Sequence, residues 1–186
     1  MIFVSVDVET AGPSPSEYAL LAIGACLTQD PDTSFYIELI PDKEKIQASA
    51  IKISGLDPEK LKREGTSAEE AMEAFERWLV EHTPKGEQPI FIAFNAAFDW
   101  MFVADYFHRY LGRNPFGHRA LDLKALYMGI YGAAWDQTGM AQVTMELGTP
   151  IQLSHNALED ARDQALIFNA LQQQITGNRK MRENHE

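Results

Sequence analysis

The sequence has few of the features of a secreted or membrane-bound protein. Its 186 residues include a single cysteine, Cys26, so an internal disulfide is excluded and a reducing cytoplasm is expected. The longest apolar stretch, from Tyr18 to Leu27, is too short to span a bilayer. Residues 1–3 carry no charged leader of the kind found in signal peptides. We therefore expect a globular cytoplasmic protein that does not associate with membranes.

Positive charge is also scarce in this chain. It contains 16 Lys and Arg residues against 27 Asp and Glu residues, which gives a formal net charge of −11. Lys and Arg normally supply most of the contacts through which proteins grip long polyanions. The composition therefore disfavours tight binding of a long, highly negative ligand.

Two acidic residues stand two positions apart near the start of the chain. In residues 2–9 the even positions are β-branched and apolar, whereas the odd positions are Phe, Ser, Asp and Glu. This period of two predicts a strand with two different faces. Asp7 and Glu9 then project from the same face, close enough to share a cation. A solvated strand end with two ordinary acids is the alternative for this segment alone.

A third acid, Asp99, follows a second apolar run. Residues 89–94 predict a buried strand, and Asn95 is placed to cap a helix that reaches about Leu111. On a helical projection Asp99 lies within an apolar stripe formed by Ala96, Val103, Tyr106, Phe107 and Tyr110. Burying an unpaired carboxylate in such a stripe would be costly. Asp99 is therefore expected to meet a cation, to meet a basic partner or to carry a proton.

The third segment combines a histidine with a fourth acid. Asn156 and Glu159 have the spacing of an N-terminal capping arrangement, which predicts a helix from this point to about Gln173. Asp160 then lies in the first turn on the apolar face, and His155 lies on the loop just before it, where its ring can reach a water. The alternative for this segment is a surface histidine beside an acid that the helix dipole stabilises.

The remaining pattern predicts one α/β domain over residues 1–176 and a disordered tail over residues 177–186. Three successive strands near the N-terminus suggest an antiparallel meander. Short helical turns are expected between residues 42 and 65, and helices over 67–83, 122–130 and 140–147. A short strand is expected over residues 119–121, with Asp122 capping the helix that follows. This order predicts a mixed five-stranded sheet flanked by helices.

In the order and setting of these four acids and one histidine, the chain resembles the DEDDh exonucleases. That group includes the proofreading subunit of bacterial DNA polymerase III, ribonuclease T and oligoribonuclease. The resemblance extends from about Phe3 to about Gln173. It implies a ribonuclease H-like fold and a 3′–5′ exonuclease that releases nucleoside 5′-monophosphates from nucleic-acid ends.

The resemblance also implies a role for each residue. Asp7, Glu9 and Asp160 would hold one divalent cation, Asp7 would bridge to a second, and Asp99 would act in the same cluster. Two Mg²⁺ or Mn²⁺ ions per site are expected, since an oxygen-rich site without cysteine suits hard cations. His155 would be the general base that takes a proton from the attacking water.

The terminal nucleotide would bind near Thr10 and the turn that begins at Ala11. Residues 11–13 offer no large aromatic side chain, so Phe98, Trp100 or Trp135 would have to stack on a base. The sequence leaves the choice open, and Phe98 and Trp100 are also compatible with the core.

The expected partner is single-stranded or short nucleic acid, either RNA or DNA, because the net charge disfavours travel along a duplex. Two alternatives are a ribonuclease H-like endonuclease or integrase, and a binding module that has lost its chemistry. The histidine ahead of Asp160 argues against the first, and the full set of acids argues against the second. A homodimer and a polymerase partner both remain open.

Overall fold

The structure, a computed structural model, describes residues 1–149, 151 and 154–183, the last six by their backbone only. Its strands are β1 (Phe3–Thr10), β2 (Leu20–Leu27), β3 (Asp30–Glu38), β4 (Ile90–Ala93) and β5 (Ala120–Asp122). Its helices are α1 (Ala48–Ser54), α2 (Pro58–Glu64), α3 (Ala68–His82), α4 (Ala96–Tyr106), α5 (Leu123–Tyr131), α6 (Met140–Leu147) and α7 (Ala157–Glu183).

The strands form one mixed sheet in the order β3-β2-β1-β4-β5, as the sequence predicts. β1, β2 and β3 pair antiparallel, which confirms the meander. β4 pairs parallel to β1, and β5 pairs parallel to β4. The carboxyl ends of β1, β4 and β5 therefore meet at one edge of the sheet, which is where ligands bind in open α/β sheets.

The two faces of β1 have different neighbours, and this difference places the acids. The even-numbered Val4, Val6 and Val8 are buried in a core cluster with residues of α3 and α4. Phe3 points the other way, and its ring centroid lies 4.7 Å from that of Phe168 in α7. Because side chains alternate along a strand, the odd-numbered residues that follow Phe3 also face α7.

Helix α4 begins where the sequence predicts, with Asn95 at the N-cap position, but the Asn95 side chain does not cap it. Asn95 has a left-handed backbone with φ of 69°, and its side chain makes no capping bond. The N–H of Ala96 instead donates to Asp122 Oδ2 over 2.6 Å. Asp122 Oδ1 also accepts from Ala125 N–H over 2.8 Å, so its predicted capping of α5 is confirmed. One carboxylate therefore fixes the starts of two helices.

Helix α7 begins as predicted and ends later than predicted. The Asn156 side chain accepts from the N–H groups of Leu158 and Glu159, which confirms the capping arrangement. The helix then continues to Glu183, beyond the predicted end at Gln173. Six of the ten residues from 174 to 183 are Gln, Arg, Lys, Met or Glu, which favour a helix and outweigh the less favourable Thr176, Gly177 and Asn178. Of the expected tail, residues 184–186 lie outside the described part of the chain.

Candidate active site

Three of the predicted acids meet at the carboxyl end of β1. Carboxylate oxygens of Asp7, Glu9 and Asp160 all lie within 4.8 Å of one another. Asp7 and Glu9 come from the α7-facing side of β1, and Asp160 comes from the first turn of α7. The predicted sharing of one face by Asp7 and Glu9 is thus seen in the structure.

A glycine in β2 makes this approach of α7 possible. Gly24 pairs with Asp7 across the β1–β2 ladder. A Cβ at Gly24 would lie 2.1 Å from the backbone carbon of Ala157, the first residue of α7. Any side chain there would push the helix away from the sheet and carry Asp160 with it.

Asp99 lies beside the cluster and is held by the backbone of β1. It is only 5% exposed, as its place in the apolar stripe predicts. Its Oδ1 accepts the N–H of Val8, the residue between Asp7 and Glu9, over 3.1 Å. In the part of the chain that the structure describes, Asp99 is not among the acids within 4.8 Å of one another. The structure therefore brings three acids together and places the fourth next to them.

Burial and mutual repulsion make these carboxylates hard to ionise. Burial, reinforced by the charges of Asp99, Asp160 and Glu9, raises the pKa of Asp7 well above its ordinary value. Burial and the charge of Asp160 raise the pKa of Glu9 to about 7. Burial raises the pKa of Asp99 to about 8, although the bond from Val8 N–H opposes the rise. The site concentrates negative charge in a place where water screens it poorly.

Gln164 supports Asp7 from the next turn of α7, and the sequence analysis did not identify it. This side chain is only 2% exposed. Its Nε2 donates to Asp7 Oδ1 over 2.7 Å, and its Oε1 accepts Phe94 N–H over 2.9 Å. The available sequence signal is a polar residue four positions after Asp160, on the face where α7 is otherwise apolar.

The segment before α7 holds Asp160 and presents His155. Both the N–H and the hydroxyl of Ser154 donate to Asp160 Oδ1, each over 3.1 Å. His155 follows with a left-handed φ of 54°, and its side chain is exposed. His155 lies just outside the helix as predicted, although it does not join the group of acids found within 4.8 Å among the described residues.

Thr10 and Ala11, the predicted nucleotide-binding residues, are both buried. Thr10 Oγ1 donates to the carbonyl of Gly12 over 2.9 Å. The N–H of Ala11 donates to Ala19 O, and its carbonyl accepts Gln47 N–H, each over 2.8 Å. Ala11 therefore shapes the turn, and none of its surface is exposed to a ligand in this structure. The binding role of both residues stays a prediction.

The three aromatic candidates for base stacking differ sharply in exposure. Phe98 is half-buried, with its ring centroid 5.5 Å from that of Phe102. Trp100 is half-buried in edge contacts with Phe91 and Phe116. Trp135 is 60% exposed, on a short helical turn between α5 and α6. Packing against the core leaves Phe98 only part of its surface for a ligand, whereas most of Trp135 is accessible.

The chemistry of the cluster fits a hard divalent cation. Among the residues described, none of the four acids forms an ion pair with Lys or Arg. Carboxylates that are crowded, buried and without basic partners need another source of positive charge if they are ionised. Oxygen-only donor sets of this kind are preferred by Mg²⁺ and Mn²⁺.

A mixed five-stranded sheet with acids on β1, α4 and α7 and a histidine before α7 defines the class of DEDDh nucleases. Residues 4–168 match the family model described as Exonuclease (RNase_T). The chain therefore belongs to this family and is a DEDDh-type 3′–5′ exonuclease. Nucleases of this type depend on metal ions, and the acidic cluster could hold one.

Two curated relatives cover most of the chain. It is 42% identical over 167 residues to the 3′-5′ DNA exonuclease Cap18 of Escherichia coli, which covers 90% of this chain and 89% of that protein. It is 33% identical over 179 residues to ribonuclease T of Yersinia pestis, with 89% of this chain and 81% of the relative covered.

Solved structures share the fold at low sequence identity. The nuclease domain of 3′hExo, a DEDDh family member bound to rAMP, matches with a TM-score of 0.76 and 16% identity over 92% of each chain. E. coli exonuclease I in complex with a dT13 oligonucleotide matches with a TM-score of 0.71 and 17% identity, over 91% of this chain and 40% of the other. These matches confirm the predicted ribonuclease H-like architecture.

Proposed function

We propose that this protein shortens single-stranded DNA from its 3′ end and releases nucleoside 5′-monophosphates. The convergence of Asp7, Glu9 and Asp160 within 4.8 Å carries the proposal. DNA is proposed as the substrate because the 42% identical relative is named a DNA exonuclease. The net charge of −11 favours a few contacts with the end of a strand over extended contact with a duplex.

We propose that two Mg²⁺ ions, or Mn²⁺ in their place, bind at this cluster. Asp7, Glu9 and Asp160 would hold the first ion, Asp7 would also contact the second, and Asp99 would support the cluster through β1. When bound, such ions neutralise the developing charge on the phosphate and favour ionisation of water. The surrounding chain fixes the carboxylates, through Ser154 at Asp160 and through other hydrogen bonds at Asp7 and Asp99.

His155 is proposed as the general base. It precedes the helix that carries Asp160, so its ring can be directed towards the cluster while remaining open to solvent. A base in such a place can accept a proton from the attacking water and return it to bulk solvent. General-base catalysis by a histidine typically contributes about 10²–10⁴-fold to a rate.

RNA is the second candidate substrate, because a 33% identical relative is named ribonuclease T. Discrimination between the two depends on how the pocket treats the 2′ hydroxyl. Thr10 and the turn that begins at Ala11 would form the pocket for the sugar, and Phe98 would offer a partial stacking surface for the base.

The site of action is proposed to be the cytoplasm. Cys26, the only cysteine of the chain, is a buried free thiol, which suits a reducing compartment. Over the described residues, no helix combines the length and apolar character needed to cross a bilayer.

A digestion of matched oligonucleotides tests the proposal. Single-stranded DNA, single-stranded RNA and duplex DNA of one sequence, labelled at the 5′ end, are incubated with Mg²⁺ and resolved by length. The expected result is a ladder that shortens from the 3′ end, fastest for single-stranded DNA. Internal fragments would indicate an endonuclease, no cleavage would indicate a binding module, and faster loss of RNA would reassign the substrate. Asp7→Asn is the inactive control.

A further inference from the structure

Lys124 and Trp135 form a small exposed cluster that the catalytic residues do not explain. Lys124 Nζ lies 4.4 Å from the centroid of the Trp135 ring. The same nitrogen lies 5.8 Å from the Phe94 ring centroid. Trp135 is 60% exposed, whereas Phe94, just after β4, is half-buried. Lys124 therefore contacts one exposed and one half-buried aromatic ring. Cation–π contacts of this length are favourable and leave some ammonium hydrogens free.

The cluster lies at the same edge of the sheet as the acids. Phe94 directly follows β4 and donates its N–H to Gln164, the side chain that also contacts Asp7. Lys124 lies in the first turn of α5, two residues after Asp122, whose carboxylate bonds the start of α4. Lys124 thus contacts the residue that bonds Gln164, and it lies close in sequence to the carboxylate that fixes the start of the helix carrying Asp99.

The charge of Lys124 is notable in so acidic a chain. In the described part of the protein Lys124 forms no ion pair, whereas Lys43, Lys45, Lys60 and Lys62 each pair with a carboxylate. The neighbouring Asp122 is occupied by two backbone N–H groups. Among the described residues, the Lys124 ammonium group therefore has no carboxylate in ion-pair contact, and it lies next to an exposed indole ring.

We propose that Lys124 and Trp135 bind the substrate strand on the 5′ side of the scissile phosphate, with Lys124 at a backbone phosphate and Trp135 stacked on a base. This inference rests on the proposed function, because it extends the same site along the nucleic acid. A positive charge combined with an exposed aromatic is the usual means of holding a single strand without reading its sequence.

Two substrates separate this role from a structural one. Decathymidylate presents an upstream strand, whereas the p-nitrophenyl ester of thymidine 5′-monophosphate replaces that strand with a small leaving group. Trp135→Ala should lower kcat/KM for decathymidylate by about tenfold, the scale of one lost base–aromatic stack, and leave hydrolysis of the ester unchanged. Equal losses on both substrates, or no loss on either, would overturn the proposal.

Lys124→Ala should act through charge. A plot of log kcat/KM for decathymidylate against log salt concentration has a negative slope. In Lys124→Ala this slope should become less steep by about 0.7, as expected for one lost phosphate contact with a single strand. Lys85→Ala is the matched control. Lys85 is an exposed lysine on the loop before β4, so it lies at the amino end of that strand, away from the acids. An unchanged slope for Lys124→Ala, or an equal change for Lys85→Ala, would contradict the phosphate contact.

A binding measurement distinguishes failure of this inference from failure of the proposed function. Fluorescence anisotropy of dye-labelled decathymidylate in chelator reports binding without turnover. If the wild-type protein cleaves neither substrate but Trp135→Ala still weakens binding about tenfold, the proposed activity is wrong and the binding site stands. If the wild-type protein cleaves decathymidylate and Trp135→Ala binds it normally, the binding site is wrong and the activity stands.

Discussion

The acidic cluster and the segment that carries His155 meet at one edge of the sheet, yet they are built in opposite ways. Asp7, Asp99 and Asp160 are held by a strand, by two helix starts and by hydrogen bonds from Gln164, Val8 and Ser154. His155 is exposed, lies outside any helix and has a left-handed backbone that non-glycine residues seldom adopt.

This difference indicates a division of work within the site. A carboxylate that must bind a cation gains from burial and a fixed position, at the expense of easy ionisation. A base that must pass protons to solvent gains from exposure. Substitutions in the two regions should therefore leave different signatures in metal binding, rate and stability.

The largest effect is expected from the acids themselves. Asp7→Asn should keep the fold, reduce turnover by several orders of magnitude and abolish the rise in Tm that Mg²⁺ gives the wild-type protein. The amide preserves shape but removes the charge at the centre of the cluster. Turnover at saturating Mg²⁺ and melting curves with and without the metal provide the measurements.

An exposed acid provides the control for that variant. Glu81→Gln changes one charge on the solvent side of α3 and should alter neither turnover nor the response to Mg²⁺. Near-normal activity of Asp7→Asn at saturating Mg²⁺ would remove Asp7 from the proposed metal site.

His155→Ala tests the other region. The variant should lose about 10²–10⁴-fold in turnover, the scale of general-base catalysis, while Mg²⁺ still raises its Tm as in the wild-type protein. The reason is that the histidine moves a proton and does not hold the metal. A Mg²⁺ titration shifted as far as that of Asp7→Asn would instead make His155 a ligand.

Gln164 is expected to have an intermediate effect, because it reaches the metal site only through Asp7. Gln164→Glu keeps an acceptor for Phe94 N–H but adds a further acid beside Asp7, whereas Gln164→Met loses both bonds at similar volume. Removing one partner of a buried polar pair costs about 1–3 kcal/mol. Gln164→Met should therefore need more Mg²⁺ for half-maximal activity, and Gln164→Glu should need more still or be inactive.

The pair of variants also checks whether the bond to Asp7 matters at all. If both variants melt lower than the wild-type protein but show its Mg²⁺ requirement and its turnover, Gln164 supports packing alone.

Local patterns in the sequence were sufficient for most of the site. The alternation in residues 2–9 placed Asp7 and Glu9 on one face of β1, and the apolar stripe of α4 marked Asp99 as a buried carboxylate. Both predictions depend on neighbours in sequence, and backbone geometry alone turns such neighbours into neighbours in space.

Contacts between distant segments were beyond these patterns. Gln164 meets Asp7 from a position 157 residues away, and Asp122 caps α4 from 26 residues away. The sequence marks Gln164 as a polar residue on the inner face of α7, but it does not identify the partner in either bond, because each partner depends on how β1, β5 and α7 pack. Asn95 was expected to cap α4 for the same reason: the rule considers only the adjacent residue, and a tertiary partner replaced it.

The smallest expected effect is a pH dependence of stability in the metal-free protein. Burial raises the pKa of Glu9 from 4.5 to about 7 and that of Asp99 from 3.8 to about 8. Between these limits the folded state binds more protons than the unfolded state, so the free energy of unfolding falls as pH rises. Asp42 contributes in the opposite sense. Burial raises its pKa, but hydrogen bonds from Tyr106, Tyr110, Arg109 and Lys43 outweigh burial and lower it. This contribution changes only at pH values near or below 3.8, the ordinary pKa of the group.

Melting curves in chelator at pH 5 and pH 8 isolate the carboxylates of the site from Asp42. The wild-type Tm should be lower at pH 8 by several degrees, and Asp99→Asn should show a smaller difference because one of the carboxylates that must ionise is gone. Saturating Mg²⁺ should raise the wild-type Tm more at pH 8 than at pH 5, since the cation binds the ionised cluster. His155→Ala should leave this pH dependence of Tm unchanged. If Asp99→Asn has the same pH dependence as the wild-type protein, or melts lower than it in chelator at pH 8, ionisation of Asp99 does not destabilise the fold. Asp99 is then a structural acid that stabilises β1 through Val8.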